Sequence, residues 1–368
     1  MVDEAWDFVI MGGGSAGNMA ARVAGALGFK TALIERDRLG GTCSWVGCVP
    51  SKALLHVARL AWNVKHGLPG LSLPEGPVDT SRAMQWVRDI TNEHGAHATP
   101  AKLADRGVEF IRDTAVLEDE SHVRAGERIL PARRILIATG SEPAVPDIDG
   151  LDAAGYLTNL SLWDLPEPPA SMIIIGAGSI GMEMSQAFNR LGTDVTVLEQ
   201  GHRPLPADDP ELADLLRAQL AEEGVRFVFN ADVRQVERAD SGRRAVSALV
   251  GGEEQTFEAR ELLVATGREI DVDAIRCDAA GVRGGTRGVQ VNDRLQTDNP
   301  IVYAAGDVLG SWQFTHMATI EGKHAAKNAL LGSDEPMSYD AAGWCTFTDP
   351  ELAGTGICEK DAQEQGLD

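Results

Sequence analysis

Phe8-Val9-Ile10-Met11-Gly12-Gly13-Gly14-Ser15-Ala16-Gly17 is a short apolar run that ends in G-x-G-x-x-G, the pattern of a buried strand turning sharply into a helix. A second apolar strand, Thr31-Ala32-Leu33-Ile34, follows and closes on Glu35. Met172-Ile173-Ile174-Ile175-Gly176-Ala177-Gly178-Ser179-Ile180-Gly181 repeats the arrangement, with a strand over 194–198 and then Glu199. In both copies the acid stands 23 positions after the first glycine. One glycine-rich turn is weak evidence. Two copies in the order strand, turn, helix, strand, acid, at equal offset, make a duplicated βαβ unit.

In each copy the first glycine permits the tight turn, the second lets the backbone approach a pyrophosphate, and the third lets helix and strand pack closely. The helix N-terminus then holds the phosphate charge. Two dinucleotide sites are expected, on Gly12, Gly14 and Gly17 and on Gly176, Gly178 and Gly181, with Glu35 and Glu199 accepting hydrogen bonds from a ribose diol. The competing reading makes both acids solvated residues at strand ends. A later apolar strand in each half closes on the same tripeptide, Ala138-Thr139-Gly140 and Ala265-Thr266-Gly267, so Thr139, Gly140 and Gly267 are expected in turns near the cofactors. Leu165-Pro166-Glu167-Pro168-Pro169 reads as the linker into the second copy. Glu211–Leu220 reads as an amphipathic helix with a core-facing stripe. Residues 50–104 read as mainly helical, interrupted by the Pro- and Gly-rich Leu68–Pro77.

Gly41-Thr42-Cys43-Ser44-Trp45-Val46-Gly47-Cys48-Val49-Pro50-Ser51-Lys52 places two thiols five positions apart at the start of a helical pattern. In a regular helix such residues stand about 7.5 Å apart along the axis and about 140° around it. A disulfide needs Cα atoms roughly 4.4–6.8 Å apart. The segment must therefore bulge to close one, and Gly47 supplies the freedom. Pro50 suits the first position of a helix, which puts Cys48 at a helix N-terminus with Lys52 one turn on, a setting that favours thiolate over thiol. A redox pair, half a zinc site and two unrelated buried cysteines all remain open on spacing alone. Cys277, Cys345 and Cys358 are dispersed and offer no paired ligand spacing, so no metal site is expected.

The chain has 368 residues, 43% hydrophobic, enough for two or three domains. It carries no apolar run that would span a bilayer, and its first residues lack the basic and apolar regions of a signal peptide, so a cytoplasmic location and no membrane partner are expected. In a reducing compartment a close cysteine pair is more often catalytic than structural. A formal net charge of −22, from 55 acidic against 33 basic residues, argues against a nucleic-acid partner. Lysine is scarce and arginine plentiful, and such an acidic composition fits a high-salt host.

Gly40-Gly41-Thr42-Cys43 through Cys48-Val49-Pro50-Ser51-Lys52, the two dinucleotide fingerprints, both Ala-Thr-Gly strands and Tyr303-Ala304-Ala305-Gly306-Asp307 together resemble the class I pyridine nucleotide-disulfide oxidoreductases. This is the family of dihydrolipoamide dehydrogenase, glutathione reductase and mercuric reductase, and the match runs in order along nearly the whole chain. Gly155–Asn159, Gln186–Phe188 and Gln313–His316 resemble the mercuric reductase-like branch, whereas Glu321-Gly322 is closer to dihydrolipoamide dehydrogenase.

The resemblance implies an α/β fold with two Rossmann-like dinucleotide-binding domains, an FAD domain over 1–149 and 271–335 and an NAD(P) domain over 150–270. It implies FAD on the first fingerprint, with Gly41, Thr42, Gly306 and Asp307 in its site, Asp307 on the ribityl chain, and NAD(P)H on the second. Cys43 and Cys48 become a redox disulfide, Cys48 next to the flavin and Cys43 exchanging with a small disulfide, a dithiol or a soft metal ion such as Hg(II). Lys52 stands beside the flavin, paired with Glu183 near the nicotinamide; the bland reading makes Glu183 an acid in the first turn of a helix, favoured by the dipole. Glu199 favours NADH over NADPH, since a carboxylate accepts a 2′-hydroxyl and repels a 2′-phosphate. Arg203, just downstream, would soften that choice.

Two departures from the family pattern stand out. Trp45 lies where many relatives carry a small polar residue, and either reshapes access to the disulfide or packs on the flavin side. Cys345–Gly354 resembles the opening strand of the family's interface domain, and the sequence stops at Asp368. Residues 336–368 then read as the start of a truncated dimerisation domain, without the His–Glu pair that serves the exchanging thiol as base. Because such a base contributes on the order of 10²–10⁴ in rate, the alternative expectation is a flavoprotein that binds both dinucleotides and passes electrons only to small acceptors. His316 is the candidate replacement base. The family's homodimer is in doubt on the same ground.

Overall fold

The computed structural model describes residues 5–67, 70, 78–95 and 97–367. The interruption expected at Leu68–Pro77 lies outside them but for Gly70. The helices that position the site are, in chain order, α1 (Ser15–Ala26), α2 (Gly41–Trp45), α3 (Cys48–His66), α4 (Thr80–Gly95), α5 (Ser179–Arg190), α6 (Pro210–Glu223) and α7 (Thr315–Leu331). The chain forms two compact units. One comprises Met1–Trp45, Glu93–Glu142 and Arg268–Tyr339; the other comprises Val46–Asn92, Pro143–Gly267 and Asp340–Asp368.

Among the described residues, the first unit is built on a five-stranded parallel sheet in the order Val302–Ala304, Ile135–Ile137, Phe8–Met11, Thr31–Glu35, Val108–Arg112. A parallel sheet must be covered on both faces, which is why its strands read as unbroken apolar runs. Successive side chains alternate between the faces. Phe8 and Ile10 join Ala16, Ala20 and Ala325 of α1 and α7 on one side. Val9 and Met11 join Leu117, Val123 and Leu130 on the other. These last residues belong to a three-stranded antiparallel meander, Ala115–Leu117, His122–Ala125 and Arg128–Pro131. Small residues let α1 and α7 approach closely: a Cβ on Gly322 would lie 2.2 Å from the carbonyl oxygen of Ala16.

The second unit repeats this plan. Its parallel sheet, again among the described residues, runs Arg226–Val228, Asp194–Leu198, Ser171–Ile175, Glu261–Val264. Met172 and Ile174 pack with Leu54 of α3, Phe188 of α5 and Leu216 and Leu220 of α6. Ile173 and Ile175 face a meander of Ala231–Arg238, Arg244–Val250 and Glu253–Ala259 through Val236, Val246 and Phe257. A two-stranded ribbon, Gly343–Thr346 with Leu352–Thr355, completes the unit. The duplication read from the glycine turns thus extends to whole layers, a parallel sheet backed by a meander in each unit.

Candidate active site

The two glycine turns are built alike to within a few tenths of an ångström. Gly12 has φ +104° and Gly176 φ +105°, a region costly for any side chain. A Cβ on Gly12 would lie 2.3 Å from the carbonyl oxygen of Ala138, and one on Gly176 would lie 2.4 Å from that of Ala265. The Ala-Thr-Gly strands therefore sit directly against the turns. At Gly17 and Gly181 a Cβ would meet the carbonyl oxygens of Gly12 and Gly176 at 1.9 and 2.0 Å. Gly14 and Gly178 differ: nothing lies within 4 Å of an added Cβ. The bare backbone there, at the N-termini of α1 and α5, leaves the room a pyrophosphate requires.

The acids at the strand ends are engaged in the same way in both copies. Glu35 accepts hydrogen bonds from the amides of Gly13 (2.7 Å) and Asp37 (2.8 Å). Glu199 accepts them from Ala177 (2.7 Å) and Gly201 (2.7 Å). Each carboxylate pins the middle residue of its glycine turn. Arg203 is committed elsewhere: its guanidinium donates to the carbonyls of Leu205, Pro206 and Asp208 at 2.9–3.1 Å, bracing its own loop.

Asp307 opens a short 3-10 turn after Gly306. Its carboxylate accepts from the Ser141 hydroxyl at 2.9 Å and lies 3.4 Å from Arg268 Nε. Arg268 also donates to the Ser141 hydroxyl and carbonyl oxygens, each at 2.7 Å. Ser141 and Arg268 directly follow the two Ala-Thr-Gly turns, so the turns bring one partner each to Asp307. Thr139 is exposed, Gly140 is half-buried with φ +77°, and Gly267 is exposed with φ +121°. Behind the Asp307 turn, Glu321 of α7 is wholly buried and accepts from the Gly306 amide (2.7 Å) and the Tyr339 hydroxyl (2.8 Å). Burial pushes its carboxyl up to about 7 against these two donors. His316, the candidate base, lies in the first turn of α7 with its ring stacked near Phe314.

The cysteine segment docks onto the first glycine turn. The Gly40 amide donates to the Gly13 carbonyl at 2.9 Å. A Cβ on Gly41, which has φ +60°, would lie 2.7 Å from Gly14 Cα. Half-buried Thr42 and Cys43 follow in α2, the helix is interrupted at Val46-Gly47, and Cys48 begins α3. The helix starts two residues before Pro50, and the Ser51 hydroxyl donates back to the Cys48 carbonyl at 3.2 Å. The expected break at Gly47 is present; the single turn of helix on its other side was not read from sequence. Trp45 closes that turn, its indole N–H donating to the Leu39 carbonyl at 2.8 Å.

In the second unit, the Lys52 ammonium donates to both oxygens of Glu183, at 3.0 and 2.9 Å. Glu183, buried in the second turn of α5, also accepts from the Phe347 amide at 3.0 Å, and the Phe347 ring lies under the ammonium at 4.3 Å. Thr346 donates to the Ser179 hydroxyl at 3.0 Å, fixing the ribbon to the start of α5. The far end of α5 is held by ions: Arg190 pairs with Glu223 at 2.7 Å and with Asp349 at 2.8 Å. Gln186 adds bonds to Glu223 and to both the amide and carbonyl of Asp349. Burial raises the thiol of Cys345, reinforced by Glu351 and Glu183. Phe347, Asp349, Arg190 and Glu223 were missed by sequence reasoning, because their partners lie far away along the chain.

The family model for pyridine nucleotide-disulphide oxidoreductase matches residues 6–322. The mercuric reductase of Bacillus cereus is 36% identical over 365 residues, 99% of this chain and 58% of its own length. The dihydrolipoyl dehydrogenase of Chlamydia muridarum is 34% identical over 377 residues, 100% of this chain and 79% of its own length. Among solved structures, the Cu(II) complex of the HOCl-induced flavoprotein disulfide reductase RclA from Escherichia coli superposes with a TM-score of 0.85 at 27% identity, covering 99% of this chain and 80% of that one. The chain thus spans little more than half the length of the Bacillus cereus relative. Among the described residues no helix is long and apolar enough to cross a membrane.

Proposed function

Because this chain belongs to the pyridine nucleotide-disulphide oxidoreductases, we propose that it carries electrons from NADH to a redox disulfide formed by Cys43 and Cys48, and from there to a small disulfide or to a soft metal ion such as Hg(II). The observation that carries this reading is the seating of Gly40 and Gly41 on Gly13 and Gly14, which ties the cysteine segment to the first dinucleotide turn. FAD is assigned to that turn, in a domain of residues 1–149 and 271–335, and NADH to the Gly176 turn, in a domain of residues 150–270. Residues 336–368 are assigned to the beginning of an interface domain. Bound FAD and NADH would supply the hydride and electron transfer.

The chain's own residues do the rest. Gly14 and Gly178 leave the backbone bare for the two pyrophosphates, and Asp307 with Ser141 and Arg268 offers a polar cluster for the ribityl hydroxyls. Glu183 fixes the position of the Lys52 ammonium, which would offer an oriented donor to the bound flavin. Reduction breaks the Cys43–Cys48 bond. Cys43 then attacks a substrate disulfide as thiolate, forming a mixed disulfide that Cys48 resolves with release of the second substrate thiol. Overall, one NADH and one proton convert one disulfide to two thiols; a metal-ion substrate takes the same two electrons.

Glu199 and the engagement of Arg203 by three carbonyls support NADH as the preferred donor. Replacing Glu199 by glutamine removes the charge while keeping an acceptor for one of its two amides. A charged hydrogen bond is worth about 1.5–3 kcal/mol, so the ratio of kcat/KM for NADH to that for NADPH is expected to fall on the order of 10- to 100-fold. Steady-state kinetics with both donors checks this. A wild-type protein that uses NADPH as well as NADH contradicts the assignment.

A further inference from the structure

Trp45 has more contacts than its place in a five-residue helix would suggest. An isolated turn of helix is unstable in water, so α2 takes its position from what holds its ends. At the first end Gly41 abuts Gly14. At the last end Trp45 is held on three sides. Its N–H donates to the Leu39 carbonyl at 2.8 Å, the Arg38 guanidinium lies over its ring at 4.2 Å, and its six-membered ring lies on Gly95, where an added Cβ would come within 2.2–2.5 Å of three ring carbons. Between these two anchors lies Cys43. Residues two apart on a helix point about 200° from one another, so an indole anchored inward turns the Cys43 side chain the other way.

We infer that Trp45 is the positioning residue for Cys43: the indole, clamped between Arg38, Leu39 and Gly95, holds α2 as a rigid mount and sets how readily Cys43 closes onto Cys48. This rests on the redox-disulfide reading proposed above. Confining one thiol raises the effective concentration it presents to the other. Loosening the mount therefore shifts the pair toward the open dithiol. In this role Trp45 is a determinant of disulfide stability and not a lid on substrate access.

The test is the equilibrium of the FAD-loaded protein with glutathione buffers of varied ratio, read by trapping and mass spectrometry. In that exchange two glutathione thiols are oxidised to glutathione disulfide, the Cys43–Cys48 bond breaks, and each sulfur takes up a proton. Trp45→Ala is expected to lower the equilibrium constant for disulfide formation about tenfold. Trp45→Phe keeps the ring on Gly95 and Arg38 and is expected to stay within about threefold of wild type. Gly95→Ala leaves α2 unaltered but drives a methyl group into the indole, and is expected to shift the constant the same way, which keeps the test available if Trp45→Ala does not fold. A constant unchanged in Trp45→Ala or in Gly95→Ala, with only thermal stability lowered, overturns the inference. A wild-type protein that forms no Cys43–Cys48 disulfide at any ratio removes the redox reading itself, and the inference with it.

Discussion

An Arg190→Ala protein is expected to lose about 3–5 kcal/mol of stability, the cost of leaving a buried charge without its partner. The Arg190 side chain is 4% exposed and that of Glu223 is 2% exposed. Burial by itself would weaken the guanidinium's charge, and the hydrogen bonds it donates to Glu223 and Asp349 more than offset that. Removing the arginine leaves Glu223 in the interior with, among the described residues, only the neutral Gln186 amide as donor, while Asp349, which is partly exposed, keeps its pairing with Arg59 and can hydrate. The consequence reaches the site, because Asp349 lies two residues from Phe347, whose amide makes the third hydrogen bond to Glu183. Urea unfolding at neutral pH measures the loss. The double variant Arg190→Met, Glu223→Leu removes both ions and is expected to recover most of it. A loss below about 1 kcal/mol in Arg190→Ala would place this ion cluster among those of exposed surfaces.

The second large effect is a dependence on pH that belongs to Glu321. Burial raises its carboxyl from 4.5 to about 7, even though the Tyr339 hydroxyl and the Gly306 amide donate to it and pull the other way. Neighbouring Asp307 adds to the rise. A carboxyl raised in the folded state binds more protons there than in the unfolded chain between the two values. Stability therefore falls as pH rises through that window, and the loss is complete above the folded value. A shift of this size corresponds to roughly 3 kcal/mol. Glu321→Gln keeps an acceptor for the Gly306 amide and has nothing to ionise. Unfolding free energies measured at intervals from pH 4.5 to 8 should therefore diverge, the glutamine protein gaining relative to wild type by roughly that amount. Parallel profiles would show that Glu321 does not carry the titration.

What the sequence disclosed was local or duplicated. The twin glycine turns, the acids 23 positions on and the closing Ala-Thr-Gly strands obey short-range rules that hold wherever the pattern occurs. The break at Gly47 followed from helix geometry. The meanders behind each sheet were not read, because antiparallel strands with one polar face, such as Glu253–Ala259, lack a long apolar run. Arg190, Glu223 and Asp349 were not singled out, since nothing in a helix pattern tells that partners 33 and 159 positions away will pair with them. Arg203 raised the question of a phosphate contact, and its guanidinium donates instead to three carbonyls of its own loop. Trp45 left two readings open, access to the disulfide or packing on the flavin side. Its partners prove to be Arg38, Leu39 and Gly95, the last of these 50 positions along the chain.

The central claim, that Cys43 and Cys48 take up electrons delivered by NADH, is tested most directly by reducing the FAD-loaded protein anaerobically with one equivalent of NADH and following its visible spectrum. A long-wavelength absorption from a thiolate beside the flavin should appear in the wild-type protein, with Cys43 and Cys48 becoming open to alkylation in the same sample. Cys48→Ala should lack the band and leave the flavin itself reduced. An identical spectrum in wild type and Cys48→Ala would contradict the claim.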